Sequence, residues 1–90
     1  MSEMQPNPQA LFTELDDGTG VLLHLETKFY FTLNPTAVVV WRSLGEGASL
    51  AAIADRLTAT FRVEREVAER DVTAILEEML SGGLVLQKQA

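Results

Sequence analysis

The chain has 90 residues, 47% of them hydrophobic, and a formal net charge of −6 from 13 Asp and Glu against 7 Lys and Arg. That length suits one small domain, and the acidic balance argues against a phosphate-backbone binder, which needs a basic footprint. With no cysteine and a single histidine, His24, the chain lacks the material for a disulfide framework, a thiolate nucleophile or an all-histidine metal site.

Residues 1–9 are polar and carry Pro6 and Pro8, which predicts a flexible N-terminal arm or a lead-in to an edge strand, with the domain proper over 10–90. They have no basic stretch followed by an apolar one, so they do not read as a secretory signal. No apolar run is longer than Ala37–Trp41, far short of the roughly 20 residues needed to cross a bilayer. The expectation is a soluble, cytoplasmic protein without a membrane partner.

Over residues 10–33 the pattern has a period of two. Leu11, Thr13 and Leu15 alternate with Phe12 and Glu14, and Asp16-Asp17-Gly18-Thr19-Gly20 then signals a turn. Val21, Leu23 and Leu25 share one face, with Leu22 and His24 on the other. Glu26 and Thr27 turn the chain again, and Phe29, Phe31 and Leu33 oppose Tyr30 and Thr32. Three short antiparallel strands follow from this reading.

The period then changes. Asn34 is a capping residue, Pro35 fits the first helical position, and Ala37, Val40, Trp41 and Leu44 form an inward stripe, so a helix is expected over Pro35–Leu44. Ser49 caps a second helix, from Leu50 to about Thr60, with Leu50, Ile53, Ala54 and Leu57 inward. After a break near 61–64, the longest helix runs to about Leu80 on a stripe of Ala68, Val72, Ile75, Leu76 and Met79. Gly82-Gly83 ends it, and Leu84-Val85-Leu86 is short enough to return as a final strand. The fold class is α+β: a winged-helix-like domain with a three-stranded antiparallel sheet followed by three helices.

These signals, in this order and spacing, resemble the PqqD-like family of precursor-peptide recognition elements. The resemblance runs from Asp17-Gly18 to Leu86. It is carried by VLLHL, FYFTLNPTAVVVW with Leu33-Asn34 and Trp41, Leu44-Gly45-Glu46-Gly47, SLAAIADRL, VAERDV ending at Asp71-Val72, and ILEEMLSGGLV. Where the family's namesake carries Pro-Glu-Gly before its third strand, this chain has Glu26-Thr27-Lys28. The resemblance therefore implies the family's binding role and not the namesake's pathway.

What the resemblance implies is a non-catalytic peptide chaperone. It binds the leader of a ribosomally made precursor peptide (a RiPP precursor in natural product biosynthesis) as an extra strand beside the third strand, against the third helix. It then hands the peptide to a modifying enzyme or a leader peptidase. The expected peptide-binding residues are Lys28, Phe29, Tyr30, Phe31, Thr32, Leu33, Glu66, Arg70, Asp71 and Ala74, with no catalytic residue, no metal and no cofactor.

The residues themselves leave several alternatives open. Tyr30 can be a peptide contact or a solvent-facing strand aromatic, whereas Phe29 and Phe31 read as core, one of them able to line a groove. Asp71 can brace the helix packing or meet a peptide backbone. Glu64, Glu66, Glu69, Asp71, Glu77 and Glu78 face only Arg65 and Arg70 on the third helix. Such a helix repels phosphates, and it either steers basic peptides or is a solvated face with Arg70 paired to Glu66 or Asp71. Trp41 reads as the centre of the core and His24 as a lone strand histidine facing solvent. A winged-helix DNA regulator and a strand-exchanging homodimer are the competing classes, and the charge argues against nucleic acid.

Overall fold

The computed structural model describes residues 3–88. In chain order the elements are β1 (Glu3–Pro6), β2 (Ala10–Glu14), β3 (Gly20–His24), β4 (Tyr30–Leu33), α1 (Pro35–Gly45), α2 (Leu50–Phe61), α3 (Arg65–Ser81) and β5 (Val85–Lys88). The expected meander is present as an antiparallel sheet in the order β2-β3-β4, followed by the three expected helices in a winged-helix-like arrangement. Within the stretch read as an arm, Glu3–Pro6 is strand β1. It pairs antiparallel with β5, Gln5 opposite Leu86 and Pro6 opposite Val85, as a separate two-stranded sheet.

The helix boundaries follow from their caps. The Asn34 side chain accepts a hydrogen bond from the Ala37 N–H at 2.8 Å, with Pro35 next in the chain, and the Ser49 hydroxyl accepts from the Ala52 N–H at 3.1 Å. At the other end of α3, the Leu84 N–H reaches the Met79 carbonyl at 2.9 Å and the Gly83 N–H reaches Leu80 at 3.1 Å. This Schellman pair needs a left-handed residue, and Gly83 supplies it with φ 72°. Asn7 holds the same turn from outside: its N–H donates to the Leu84 carbonyl and its side-chain amide to the Gly83 carbonyl.

The core forms where the stripes meet. Leu22 from β3, Val40 and Trp41 from α1, Ile53 and Leu57 from α2, and Ala68, Val72 and Leu76 from α3 are all buried, joined by Leu84 and Val85. Phe12 packs on Trp41 with ring centroids 6.4 Å apart at 39°. Ser43 is the buried polar residue of α1, and its hydroxyl accepts from Arg56 at 2.9 Å. At the β2–β3 turn the Thr19 hydroxyl and N–H both donate to Asp17, which holds that carboxyl below its ordinary pKa.

Three expectations are corrected. His24 does not face solvent: β3 buries Gly20, Leu22 and His24 while Val21 and Leu23 stay half-exposed. The imidazole Nδ1 accepts from the Glu26 and Thr27 N–H groups at 3.2 and 3.4 Å, so His24 organises the turn that starts β4. Phe29 is not core. It precedes β4, next to Lys28 at φ 66°, and is 69% exposed. Leu50 is the first residue of α2 and is 53% exposed, at the start of a stripe that buries only Ile53, Ala54 and Leu57.

Candidate functional site

Among the described residues, strand β4 pairs with β3 on one side only, so its second edge is open. Along an antiparallel strand, residues alternate between bonding the facing strand and turning N–H and C=O away from it. The His24 N–H donates to the Phe29 carbonyl at 2.9 Å, and Phe31 and Leu33 lie opposite Leu22 and Gly20 in the same register. The Phe29 carbonyl and the backbones of Phe31 and Leu33 therefore bond towards β3. Tyr30 and Thr32 aim their backbone donors and acceptors at the free edge, where an added strand can take them.

Below that edge lies a groove against α3. A cavity of about 150 Å³ is lined by Phe31, Leu33, Ala37, Ile75, Met79 and Leu84, with Thr32, Asn34 and Glu78 at its margin. A second, more open depression lies between Phe31 and Ala74, Glu77, Glu78 and Ser81. Residues 71, 74, 75 and 78 follow helical i, i+3, i+4 and i+7 spacing, so one stripe of α3 runs along the groove. The floor is apolar and the helical rim is acidic.

The ring of Phe31 divides the two depressions and rests on Gly82. A Cβ at position 82 would lie 2.9 Å from Phe31 Cζ, so only glycine leaves the ring where it is. Gly82→Ala is expected to displace the ring while costing only about 1 kcal/mol, since the free end of the ring can give. Aromatic proton shifts report it: a Phe31 spin system unchanged in the variant would show that the glycine does not position the ring.

The sequence-derived site residues divide into two groups. Phe31, Thr32, Leu33 and Ala74 line the groove, and Tyr30 is on the open edge with its side chain 70% exposed on the outer face. Asp71 is half-buried one turn before Ile75 on the same stripe. Lys28 and Phe29 sit in the turn ahead of β4, while Glu66 and Arg70 are exposed on the first half of α3 and line neither depression. Among the described residues, Arg70, Glu66, Asp71, Glu77 and Glu78 make no ion pair, so the anticipated Arg70 partner is missing. Arg65, by contrast, pairs with Asp55 and with Glu69, on the α2 side of the helix.

Residues the sequence reading missed are Asn34, Ala37, Ile75, Glu77, Glu78, Met79, Ser81 and Leu84. One signal was available: Ile75 sits at the edge of the inward stripe of α3, where a side chain can serve core and groove together. Among the described residues no cluster of three or more His, Cys, Asp or Glu is placed to hold a metal ion, and no helix is long and apolar enough to cross a membrane.

Solved structures and one family model resemble this chain. The chain is 34% identical to a lasso peptide synthetase B1 complexed with the leader peptide, with a TM-score of 0.84 over 93% of this chain and 98% of the other. It is 30% identical to TbiB1 in complex with the TbiA(beta) leader peptide, with a TM-score of 0.83 over 90% and 93% of the two chains. No curated protein matches it. The family described as coenzyme PQQ synthesis protein D (PqqD) matches residues 19–85, which span β3 to the first residue of β5 and so contain the whole groove. By that match this chain belongs to the PqqD-like family, the non-catalytic recognition elements of ribosomal peptide modification.

Proposed function

We propose that this protein binds the leader segment of a ribosomally synthesised precursor peptide by adding it as a strand to the open edge of β4. It then presents the peptide to a modifying enzyme or a leader peptidase. The observation that carries this reading is the pairing of an open edge with an apolar groove: Tyr30 and Thr32 offer main-chain bonds directly above the Phe31–Ile75–Met79 floor. Main-chain pairing supplies affinity and alternate side chains supply selectivity, the general logic of strand addition. The two leader-peptide complexes among the similar structures support the same ligand class.

Two measurements test it. Calorimetric titration with leader peptides from precursor genes adjacent to this one is expected to give saturable binding, and absence of binding by all of them at millimolar concentration overturns the reading. Backbone chemical-shift mapping is expected to place the footprint within residues 28–33 and 64–80, strongest at 30–33 and 74–79. A footprint confined to β2 or α2 would place the ligand elsewhere.

A further inference from the structure

We infer that the groove selects its peptide by charge at one strand parity only. It takes an extended segment with an apolar side chain beside Leu33 and a basic side chain two residues away, beside Phe31. This inference rests on the strand-addition reading and adds the chemistry of the ligand to it.

Side chains of an added strand alternate between the two faces of the sheet. A residue beside Leu33 points to the groove side, into the cavity of about 150 Å³ formed with Ala37, Ile75 and Met79. Its apolar lining of Leu33, Ala37, Ile75, Met79 and Leu84, with Asn34 and Glu78 at the margin, suits a branched aliphatic side chain. The next residue of the same parity lies beside Phe31, over the depression bounded by Ala74, Glu77, Glu78 and Ser81. Glu77 and Glu78 are exposed there and, among the described residues, lack any ion-pair partner. A Lys or Arg at this position places its stem on the Phe31 ring and its charge between the two carboxylates.

Residues of the opposite parity meet a different surface. On the outer face, Tyr30 lies in register with Leu23 and Leu11, and Thr32 with Val21 and Thr13, a band without a single charge. Charge on the peptide is therefore nearly neutral in effect at those positions. The contrast between parities follows whichever way the peptide runs, because facing side chains share a face in parallel and antiparallel pairing alike.

The probe is a positional-scanning set of ten-residue peptides in which each position in turn is fixed as Leu, Lys or Glu. It is read by fluorescence anisotropy against the full chain and against Glu77→Lys/Glu78→Lys. The expected result is a Lys-over-Glu preference of about tenfold, confined to a position two residues from the Leu-preferring one and weakened by salt. The preference reverses to Glu in the double variant, both of whose substitutions fall on exposed side chains. Binding with no charge preference, or with equal preference at neighbouring positions, overturns this inference while leaving strand addition intact. Absence of binding by every member, with the native leaders binding no better, overturns the strand-addition reading itself.

Discussion

Replacing Trp41 with alanine is expected to destabilise this domain by about 3–5 kcal/mol, the usual cost of emptying a large aromatic site in a core. Trp41 is 8% exposed and joins the sheet to the helices through its contact with Phe12. A domain of this size has about 5–15 kcal/mol in total and belongs at the low end of that range, so the loss removes most of the margin. Urea titration followed by circular dichroism measures it. The midpoint should fall steeply with the slope nearly unchanged; a midpoint within experimental error of the parent would remove Trp41 from the centre of the fold.

The second large effect falls on binding and spares the fold. Thr32 turns its N–H to the open edge of β4, so proline at that position removes no bond of the β3–β4 ladder. Proline also keeps its preceding residue extended, which Phe31 in β4 already is. What Thr32→Pro deletes is a main-chain donor on the open edge of β4, replaced by a ring that, on the strand-addition reading, obstructs the peptide. The expected outcome is a loss of peptide affinity of about tenfold or more, equivalent to about 1.4 kcal/mol, with a thermal midpoint close to that of the parent. Undiminished affinity in a folded Thr32→Pro protein would exclude the β4 edge as the docking line.

How far the fold was legible in the sequence depended on whether a signal was local. Asn34-Pro35, Ser49 and Gly82-Gly83 act through hydrogen bonds within a few residues of themselves, and the helices begin and end within a residue or two of where those signals place them. The faces of β3 were not legible. Leu22 and His24 alternate with Val21, Leu23 and Leu25, and both sets are apolar enough for either to turn inward. Only the helices that cover Leu22 decide the matter, and they are contributed by residues 35–81. His24 is counted as a surface residue by its type, yet its acceptor nitrogen finds two backbone donors within three residues and its burial costs little.

The site shows the same division. β4 is legible as an edge because it ends a meander, and the family resemblance implies that the third helix faces the ligand. Which part of α3 faces β4 depends on the contact of Phe31 with Gly82, between residues 51 positions apart in the chain (82 − 31). Glu66 and Arg70 lie on the first half of α3, whereas the two depressions are lined lower on the helix by Ala74, Ile75, Glu77, Glu78, Met79 and Ser81. Leu84 joins it only because the Schellman turn folds the chain back beneath the helix end.

The pairing of β1 with β5 closes nearly the whole chain into a ring, with Glu3 opposite Lys88. Closing so long a loop costs little more entropy than closing one half its length, yet this pairing can form only once the body has brought its two strands together. The clasp is therefore expected to be the last seam to zip and the first to open. Amide exchange at Gln5 and Leu86 should proceed by a partial opening cheaper than global unfolding; exchange there at the rate of Leu76 would instead make the ends part of the single cooperative unit. Tension on the two ends loads the Glu3–Lys88 rung first, and it reaches the glycine turn that supports Phe31 only when the ladder has opened as far as Asn7, which bonds to the carbonyls of Gly83 and Leu84. Tethering this domain by its ends to another protein would thus load a single corner of the molecule, with the β1–β5 ladder standing between that load and the groove.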